Sequence, residues 1–522
     1  MSKQQLNTKL DKLDNAQALH QLKQVQRGIE RECLRLDSDG TLAQTPHPKA
    51  LGSALCHPYI TTDFSESLLE FVTPVFTDVD KCIDFLKQLH QFTYQHMGDE
   101  RMWMNSMPCI LPGITNIPIA QYGESNSGKM KHVYRVGLSN RYGSAMQTIS
   151  GIHYNFSVSE NLLDAIFEKN LDRDEISNLY MGLVRNFHRY CWILLYLFGA
   201  SPAVCKSFLR ENNQHGLDVY DSVSFYGPHA TSLRMSDLGY RNVAQSRIQI
   251  GLCNVDTYIS GLHEATEQSY PDYEDIGVKV DGEYKQLNSN LLQIENEYYT
   301  VIRPKQIIQS GEKPTTALRN KGIAYVEVRC LDINPDSAVG IGKEEIRFVD
   351  TFLLYCLLKD SPVMTDNEKN EVPENRNRIV RFGRQPGLKL LSNNSEIDSQ
   401  QTMLEFLDQL VPIASLLDKA HQHSLHTQAL AQQLEKASHP EATPSAKIIT
   451  EMQDNKESFF EYAQRKTIAH ETDLKQPLDA SIQRKLTQAS VESIKAQQQR
   501  EQSDTLNFDE YLQAYFNETL TH

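Results

Sequence analysis

The sequence predicts an α+β fold: a mostly antiparallel sheet flanked by helices, followed by a helical C-terminal region. Three observations carry this. Two segments, 152–158 and 324–330, alternate apolar and polar residues with period two, the signature of a strand with one buried face. Strand-like and helix-like segments do not alternate regularly, which argues against a parallel βαβ architecture. Beyond about residue 395 the apolar residues recur at helical spacing. With 522 residues, 40% of them hydrophobic, the chain has ample material for a core and is neither collagen-like nor wholly disordered.

Taken in order, residues 16–36 start with a short helical pattern and run into Gly28-Ile-Glu-Arg-Glu-Cys-Leu-Arg-Leu36. The following Asp37-Ser-Asp-Gly40 is turn chemistry. Val79, Cys82, Ile83, Phe85, Leu86 and Leu89 predict a helix over 78–97. Residues 105–128, rich in Pro, Gly, Asn and Ser, read as a long loop, with a helix from about Lys131. In the strand at 152–158, Ile152, Tyr154, Phe156 and Val158 face one way, and His153, Asn155 and Ser157 the other. Residues 176–200 read as a long buried helix. In the second strand Ala324, Val326, Val328 and Cys330 oppose Tyr325, Glu327 and Arg329. Residues 360–377 read as a polar insertion. The tail (Leu404, Leu407, Val411, Ala414) is helical, broken at His439–Ser445. The expected division is a catalytic core over 1–390 and a helical region over 391–522 packed on it, together one large structural domain.

The net charge of −15 gives no general attraction to nucleic acid or an acidic membrane surface, so a bound polyanion would need locally concentrated cations. The start lacks the apolar stretch of a signal peptide. The most apolar run, Cys191–Ala200, is shorter than the about 20 residues that span a bilayer. Nine cysteines, an odd number without any C-x-x-C, predict free thiols in a reducing cytoplasm.

Gly123-Glu-Ser-Asn-Ser-Gly-Lys-Met130 nearly spells a phosphate-binding P-loop. Met130 stands where the Mg²⁺-binding Ser or Thr belongs, and no apolar strand precedes Gly123, so the match reads as chance. The acidic pattern is stronger. In an extended chain Glu30 and Glu32 share a face. Asp63 follows Thr61-Thr62, and Glu70 lies in Glu66-Ser-Leu-Leu-Glu-Phe-Val72. Glu327 and Arg329 share the polar face of their strand, and His153 that of its own. Hard cations such as Mg²⁺ take several oxygen ligands, commonly carboxylates plus substrate phosphates, and a histidine among them is tolerated. Carboxylates on separate strands would therefore suit a multi-metal nucleotide site. The same Glu/Arg alternation also fits a solvated face with cross-strand pairs, and His153 a hydrogen-bonded core histidine. Basic and aromatic residues cluster separately: Tyr134, Arg135, Arg141, Tyr142 and Gln147; Arg234; Tyr299 with Arg303-Pro-Lys305. The arginine fork suits carboxylates and phosphates.

The stretches QRGIERECLRL, HPKALGSALCHPYITTDFSESLLEFVTPV, GDERMWMNSMP, AQYGESNSGKMKHVYRVGLSNRYGSAMQTISGIHYNFS, YLFGASPAVC, ATSLRMSDLGY, NSNLLQIENEYY with IRPK, and YVEVRCLDINP, in this order, resemble the bacterial glutamate–cysteine ligase family. The resemblance covers most of residues 24–335 and fades after about 360. Small departures are Cys33 after the Glu-Arg-Glu motif, where a threonine is expected, and Met104-Asn105 after Trp103. The resemblance implies an α+β fold whose antiparallel sheet curves into a funnel, related to glutamine synthetase. It implies metal ligands at Glu30, Glu32, Asp63, Glu70, His153 and Glu327, binding Mg²⁺, with Mn²⁺ an alternative. Catalytic roles fall on Glu327 and on Arg329, which meets the transferring phosphoryl group. Arg234 is implied as a substrate-carboxylate contact. Tyr134, Leu138, Gln147, Tyr240 and Tyr299 are implied as the cysteine pocket, with Phe64 as a further wall. The implied partners are L-glutamate, L-cysteine and ATP as co-substrate, with no nucleic acid and no membrane, and the implied state is a monomer. The implied reaction is ATP-dependent ligation through γ-glutamyl phosphate, the first step of glutathione synthesis. A related ligase with another amine acceptor would share the metal residues and differ in the pocket. A non-catalytic nucleotide- or metal-binding relative would not require the intact acidic set.

Overall fold

The computed structural model describes every residue except 1, 2, 109, 112, 114, 115, 210–214, 239–243, 246, 247, 249, 310, 519, 521 and 522. Its centre is a sheet of seven strands: β1 (Gln26–Leu36), β2 (Ile60–Thr62), β3 (Leu68–Val72), β4 (Arg101–Met102), β5 (Ile152–Ser157), β6 (Ile302–Lys305) and β7 (Tyr325–Leu331). The order is β6-β7-β5-β1-β3-β2, with β4 on the C-terminal end of β1, and every pair is antiparallel. The α+β expectation with a mostly antiparallel sheet therefore holds, and both period-two segments are strands of this sheet.

The strand period sorts β1 between two environments. Ile29 and Cys33 point into the main core, whereas Glu30 and Glu32 point the other way. The core side also buries Arg27 and Arg35, and buried charge needs a partner. Arg27 pairs with Asp350 at 2.9 Å, and the Tyr154 hydroxyl donates to the same carboxylate at 2.7 Å. Arg35 pairs with Glu100. The Asp350 contacts tie the central strand to the layer beneath it.

That layer contains α1 (Val79–Tyr94), α3 (Arg173–Leu197) and α4 (Lys343–Leu358), with α2 (Asn126–Tyr142) on the opposite side. Asp78 caps α1, and an Asp172/Glu175 capping box starts α3. The apolar run from Cys191 is the buried end of α3. Every residue from Ile346 to Leu358 in α4 is buried, as a helix between two layers requires. Among the described residues no helix is long and apolar enough to cross a membrane.

Two expectations need correction. The helix expected from about Lys131 begins at Asn126, because the Ser125 hydroxyl accepts from the Gly128 amide at 3.2 Å. Gly128 is an interior helical residue that allows close approach: a Cβ there would meet the Tyr122 carbonyl oxygen at 2.4 Å. Among the described residues no strand leads directly into Gly123, so the P-loop reading fails on structure too. The segment 360–377, expected as a polar insertion, is largely helix α5 (Asp366–Phe382), started by a Thr365/Glu368 capping box. Its inward positions include Glu371 and Asn375. Glu371 accepts from the amides of Asn393 and Asn394, and Asn375 exchanges hydrogen bonds with Leu391, which pins the hairpin Lys389–Ser392/Ser395–Asp398.

The C-terminal segment is helical as expected. Helices α6 (Ser399–His421) and α7 (Leu425–Ser438) pack on α4 and join the main core. Helix α8 (Phe459–Leu474) sets Phe460 on Trp103. Helix α9 (Ala480–Ser503) runs against Gly52, where a Cβ would meet the Ser490 backbone at 2.8 Å. Helix α10 (Phe508–Phe516) returns to α2, placing Leu512 and Tyr515 on Met130 and Val133. The eight described cysteines are free thiols; Cys109 lies outside the described residues.

Candidate active site

Antiparallel register gathers the acidic residues on one face. Glu30 stands opposite His153, and Glu32 opposite Glu70. Glu327 stands opposite Asn155 on one side and Arg303 on the other. Directly opposed residues share a face, so five strands converge on a single patch. Asp63 joins it one residue beyond β2, its carbonyl accepting from Arg135 of α2. The β7 register shifts between Val328 and Leu331, an irregularity at which Arg329 sits.

Hydrogen bonds fix the members. Asn155 donates to Glu30 Oε1 at 2.8 Å, and His153 Nδ1 lies 3.1 Å from Glu30 Oε2. His153 Nε2 lies 3.6 Å from Glu32 Oε1, while Glu32 Oε2 accepts from the Gly151 amide at 2.6 Å. Arg329 donates to Glu327 at 3.0 Å, and Lys305 Nζ stands 3.3 Å from the other oxygen of that carboxylate. Ligand atoms of Glu30, His153 and Glu327 all lie within 4.8 Å of one another.

Two cavities open over this patch and share Asp63, Tyr134, Arg135, Asn296, Arg303 and Arg329 as walls. The smaller, of about 250 Å³, is lined by Phe64, Tyr134, Leu138, Gln147 and Tyr299, together with Glu32, Tyr142 and Glu297. Its polar wall is braced from behind: buried Glu297 pairs with Arg141 at 3.0 Å and accepts from the Tyr142 hydroxyl at 2.5 Å. The larger, of about 550 Å³, contains Glu30, Glu70, His153 and Glu327 at one end. Lys131, Arg135, Arg303, Lys305 and Arg500 supply cations, and Tyr511 and Tyr515 supply aromatic wall.

Arg234 lines neither cavity. Its guanidinium donates to the carbonyls of Arg329 and Leu331 and stands 3.8 Å from buried Asp332. Gly151 permits this placement, since a Cβ there would fall 1.9 Å from Arg234 Nη2. Tyr240 lies outside the described residues. Arg135, Arg303 and Lys305 stood out in the sequence only as part of basic segments. Arg500, Tyr511 and Tyr515 carry no sequence signal, because nothing in their spacing links the tail to the sheet.

The electrostatics divide the patch. Burial pushes the Glu327 carboxyl up, but Lys305, Arg329, His153 and Arg303 outweigh it and hold it well below the ordinary glutamate value. Burial and Glu327 push Glu30 up, while His153 and Lys305 bring it below that value. At Glu70 the balance is reversed: burial, then Glu30, Asp63 and Glu32, push it well above, against only a smaller pull from Arg135. Glu32 is raised by burial and Asp63 against the pull of His153, Arg234 and Arg329. The Glu70 side of the patch is thus short of positive charge. Buried carboxylates with uncompensated repulsion are what an oxygen-seeking divalent cation neutralises, so the donor set fits Mg²⁺.

Carboxylates able to hold cations, next to arginines and lysine in a cavity of this size, can bind a polyanion and neutralise charge on a transferring phosphoryl group. Such a combination of groups is what a metal-dependent phosphoryl-transfer site requires. A family model for glutamate–cysteine ligase matches residues 10–379. The chain is 48% identical over 528 aligned residues to glutamate–cysteine ligase of Alcanivorax borkumensis, covering 98% of this chain and 99% of the relative. It is 47% identical to that of Pseudomonas entomophila, covering 95% and 94%. Among solved structures, glutamate–cysteine ligase from Francisella tularensis in complex with AMP superposes with a TM-score of 0.90 at 39% identity, over 95% of this chain and 98% of that one. A bifunctional glutathione synthetase from Pasteurella multocida shares the fold, with a TM-score of 0.70 at 23% identity over 90% of this chain and 55% of the other. The chain belongs to the glutamate–cysteine ligase family.

Proposed function

We propose that this protein joins the γ-carboxylate of L-glutamate to the amine of L-cysteine with hydrolysis of ATP to ADP and phosphate, the first step of glutathione synthesis. The observation that carries the reading is the pair of cavities meeting at Asp63, Arg303 and Arg329, one acidic and basic, the other aromatic and amide-lined. Family membership over nearly the whole chain supports it.

A carboxylate does not acylate an amine at neutral pH without activation. In the proposed reaction a glutamate γ-oxygen attacks the γ-phosphorus of ATP, ADP leaves, and an acyl phosphate results. The cysteine amine then attacks the acyl carbon, phosphate leaves, and the amine gives up a proton. Glu30, Asp63, Glu70, His153 and Glu327 would hold Mg²⁺ in the larger cavity, with Glu32 contributing from the wall of the smaller one. Mg²⁺ bound there supplies charge neutralisation on the phosphates. Arg329, held by Glu327, is oriented toward the transferring group. Arg303 and Lys305 add positive charge beside it. Phe64, Tyr134, Leu138, Gln147 and Tyr299 receive the cysteine and restrict water. Arg234 acts from behind the wall, through the Arg329 and Leu331 carbonyls it holds. A monomer in a reducing cytoplasm is the proposed state, and the free thiols of the described residues suit that compartment.

The test is phosphate release from ATP and Mg²⁺ with glutamate, with and without L-cysteine, alongside mass analysis of the product. Cysteine-dependent phosphate release with a γ-linked dipeptide is expected. Release stimulated by another amine and not by cysteine would overturn the choice of acceptor.

A further inference from the structure

The turn between α6 and α7 contains a second convergence of metal-binding side chains that the reaction does not use. Its sequence is Asp418-Lys-Ala-His421-Gln-His423-Ser-Leu-His426. Gln422 ends α6 in a left-handed conformation, φ 59°, and reverses the chain so that His423 and His426 fold back over Asp418. The Asp418 carboxylate is locked before any ligand arrives. Its Oδ1 accepts from the His426 amide at 2.8 Å, and its Oδ2 from the Thr427 amide at 3.0 Å and hydroxyl at 2.6 Å.

On that fixed oxygen two imidazoles converge: His423 Nδ1 at 3.1 Å and His426 Nδ1 at 3.2 Å. The ligand atoms of the three residues lie within 4.8 Å of one another. A third imidazole, His421, has its ring centroid 5.3 Å from His423 and 5.6 Å from His426. Ligands bonded at about 2.0–2.1 Å to one tetrahedral ion stand roughly 3.3 Å apart, close to the separations seen. Asp418 and His426 are buried, while His423 keeps 30% of its side chain exposed, which leaves a route from solvent.

We propose that Asp418, His423 and His426 form a binding site for a borderline transition-metal ion of the Zn²⁺ type, with His421 or water completing the shell. Two nitrogens to one oxygen select such an ion over Mg²⁺, which prefers all-oxygen ligands. The carboxylate held by backbone amides is the outer-sphere support that metal sites need. The site lies away from the catalytic patch: His421 neighbours Lys23 and Arg27, and β1 directs Arg27 away from Glu30 and Glu32. The Arg27 charge nearby is matched by Asp350. An ion here joins α6 to α7, so its effect falls on the stability of the helical layer against α4 and not on the reaction.

The test is calorimetric titration of the full chain with ZnCl₂, under a non-chelating reductant and with millimolar Mg²⁺ saturating the sheet carboxylates. One equivalent is expected to bind, raising the thermal midpoint. His423→Ala is expected to weaken this at least tenfold and abolish the thermal shift, leaving Mg²⁺-dependent turnover unchanged. Failure of the wild-type chain to bind Zn²⁺ would overturn the proposal, as would equal binding by His423→Ala. Should His423→Ala misfold, the visible spectrum of wild-type protein loaded with Co²⁺ decides. Intense bands of a four-coordinate nitrogen–oxygen site support the assignment; weak six-coordinate bands or thiolate charge-transfer bands overturn it.

Discussion

Glu70→Gln and Glu327→Gln remove one charge each from the same cavity, yet the structure gives them opposite effects on metal-free stability. Glu327 is 3% exposed and neutralises Arg329 at 3.0 Å and Lys305 at 3.3 Å, with Arg303 opposite in register. Its loss leaves three cations facing one another. Removing one partner of a buried pair costs about 3–5 kcal/mol. That range is a ceiling here, because Lys305 and Arg329 keep 27% and 19% of their side chains exposed. Glu70, by contrast, is raised by burial and by repulsion from Glu30, Asp63 and Glu32. Glutamine keeps its shape and removes the repulsion, a gain of about 0.5–2 kcal/mol, typical of surface or site charge relief. In a chain this long 1 kcal/mol moves the thermal midpoint by roughly 2 °C or less. In EDTA, Glu70→Gln should therefore melt at or slightly above the wild type, and Glu327→Gln clearly below it. At saturating Mg²⁺ both should lose turnover by about 10²- to 10³-fold, the scale of one electrostatic contact at a reacting centre. Scanning calorimetry in EDTA and steady-state kinetics read the two effects. A Glu70→Gln protein that melts below the wild type would show that Glu70 is not under net repulsion, and near-normal turnover in either variant would remove that residue from the metal site.

The raised carboxyls of Glu70 and Glu32, due first to burial and then to their acidic neighbours, retain protons at pH values where a free glutamate has none. Mg²⁺ binding should expel them, more at about pH 6 than at about pH 8, and affinity should fall as the pH drops; calorimetry in buffers of different ionisation enthalpy measures this, and an absence of proton release at the lower pH contradicts it. Tyr299→Ala, in the smaller cavity, should raise KM for cysteine several-fold with little change for ATP; a change mainly in ATP would move Tyr299 to the nucleotide side. Arg500→Ala, which alters the larger cavity from the C-terminal tail, should raise KM for ATP and spare cysteine; unchanged ATP kinetics would leave the tail a packing layer only.

The parts of this molecule legible in its sequence are those set by strand period. Glu30 with Glu32, and Glu327 with Arg329, alternate with apolar neighbours and fall on one face as expected, as does His153. Asp63 and Glu70 had no such signal: β2 is three residues long and β3 five, too short to display a period, so their place came from resemblance. Helix α5 was hidden because Glu371 and Asn375 occupy inward positions where apolar residues would have revealed a helix. The start of α2 was hidden because glycine and serine, which usually mark loops, serve there as a close-packing residue and a cap. The contribution of α9 and α10 to the larger cavity arises from chain return across several hundred positions, which local pattern does not encode.

In the proposed reaction ATP activates the glutamate γ-carboxylate as an acyl phosphate before cysteine attacks. Turnover of glutamate labelled with oxygen-18 in both γ-carboxylate oxygens tests it directly, with the released phosphate analysed by mass spectrometry. One labelled oxygen is expected in each phosphate and one retained in the γ-amide of the product. Phosphate released without label, while dipeptide accumulates, would contradict it.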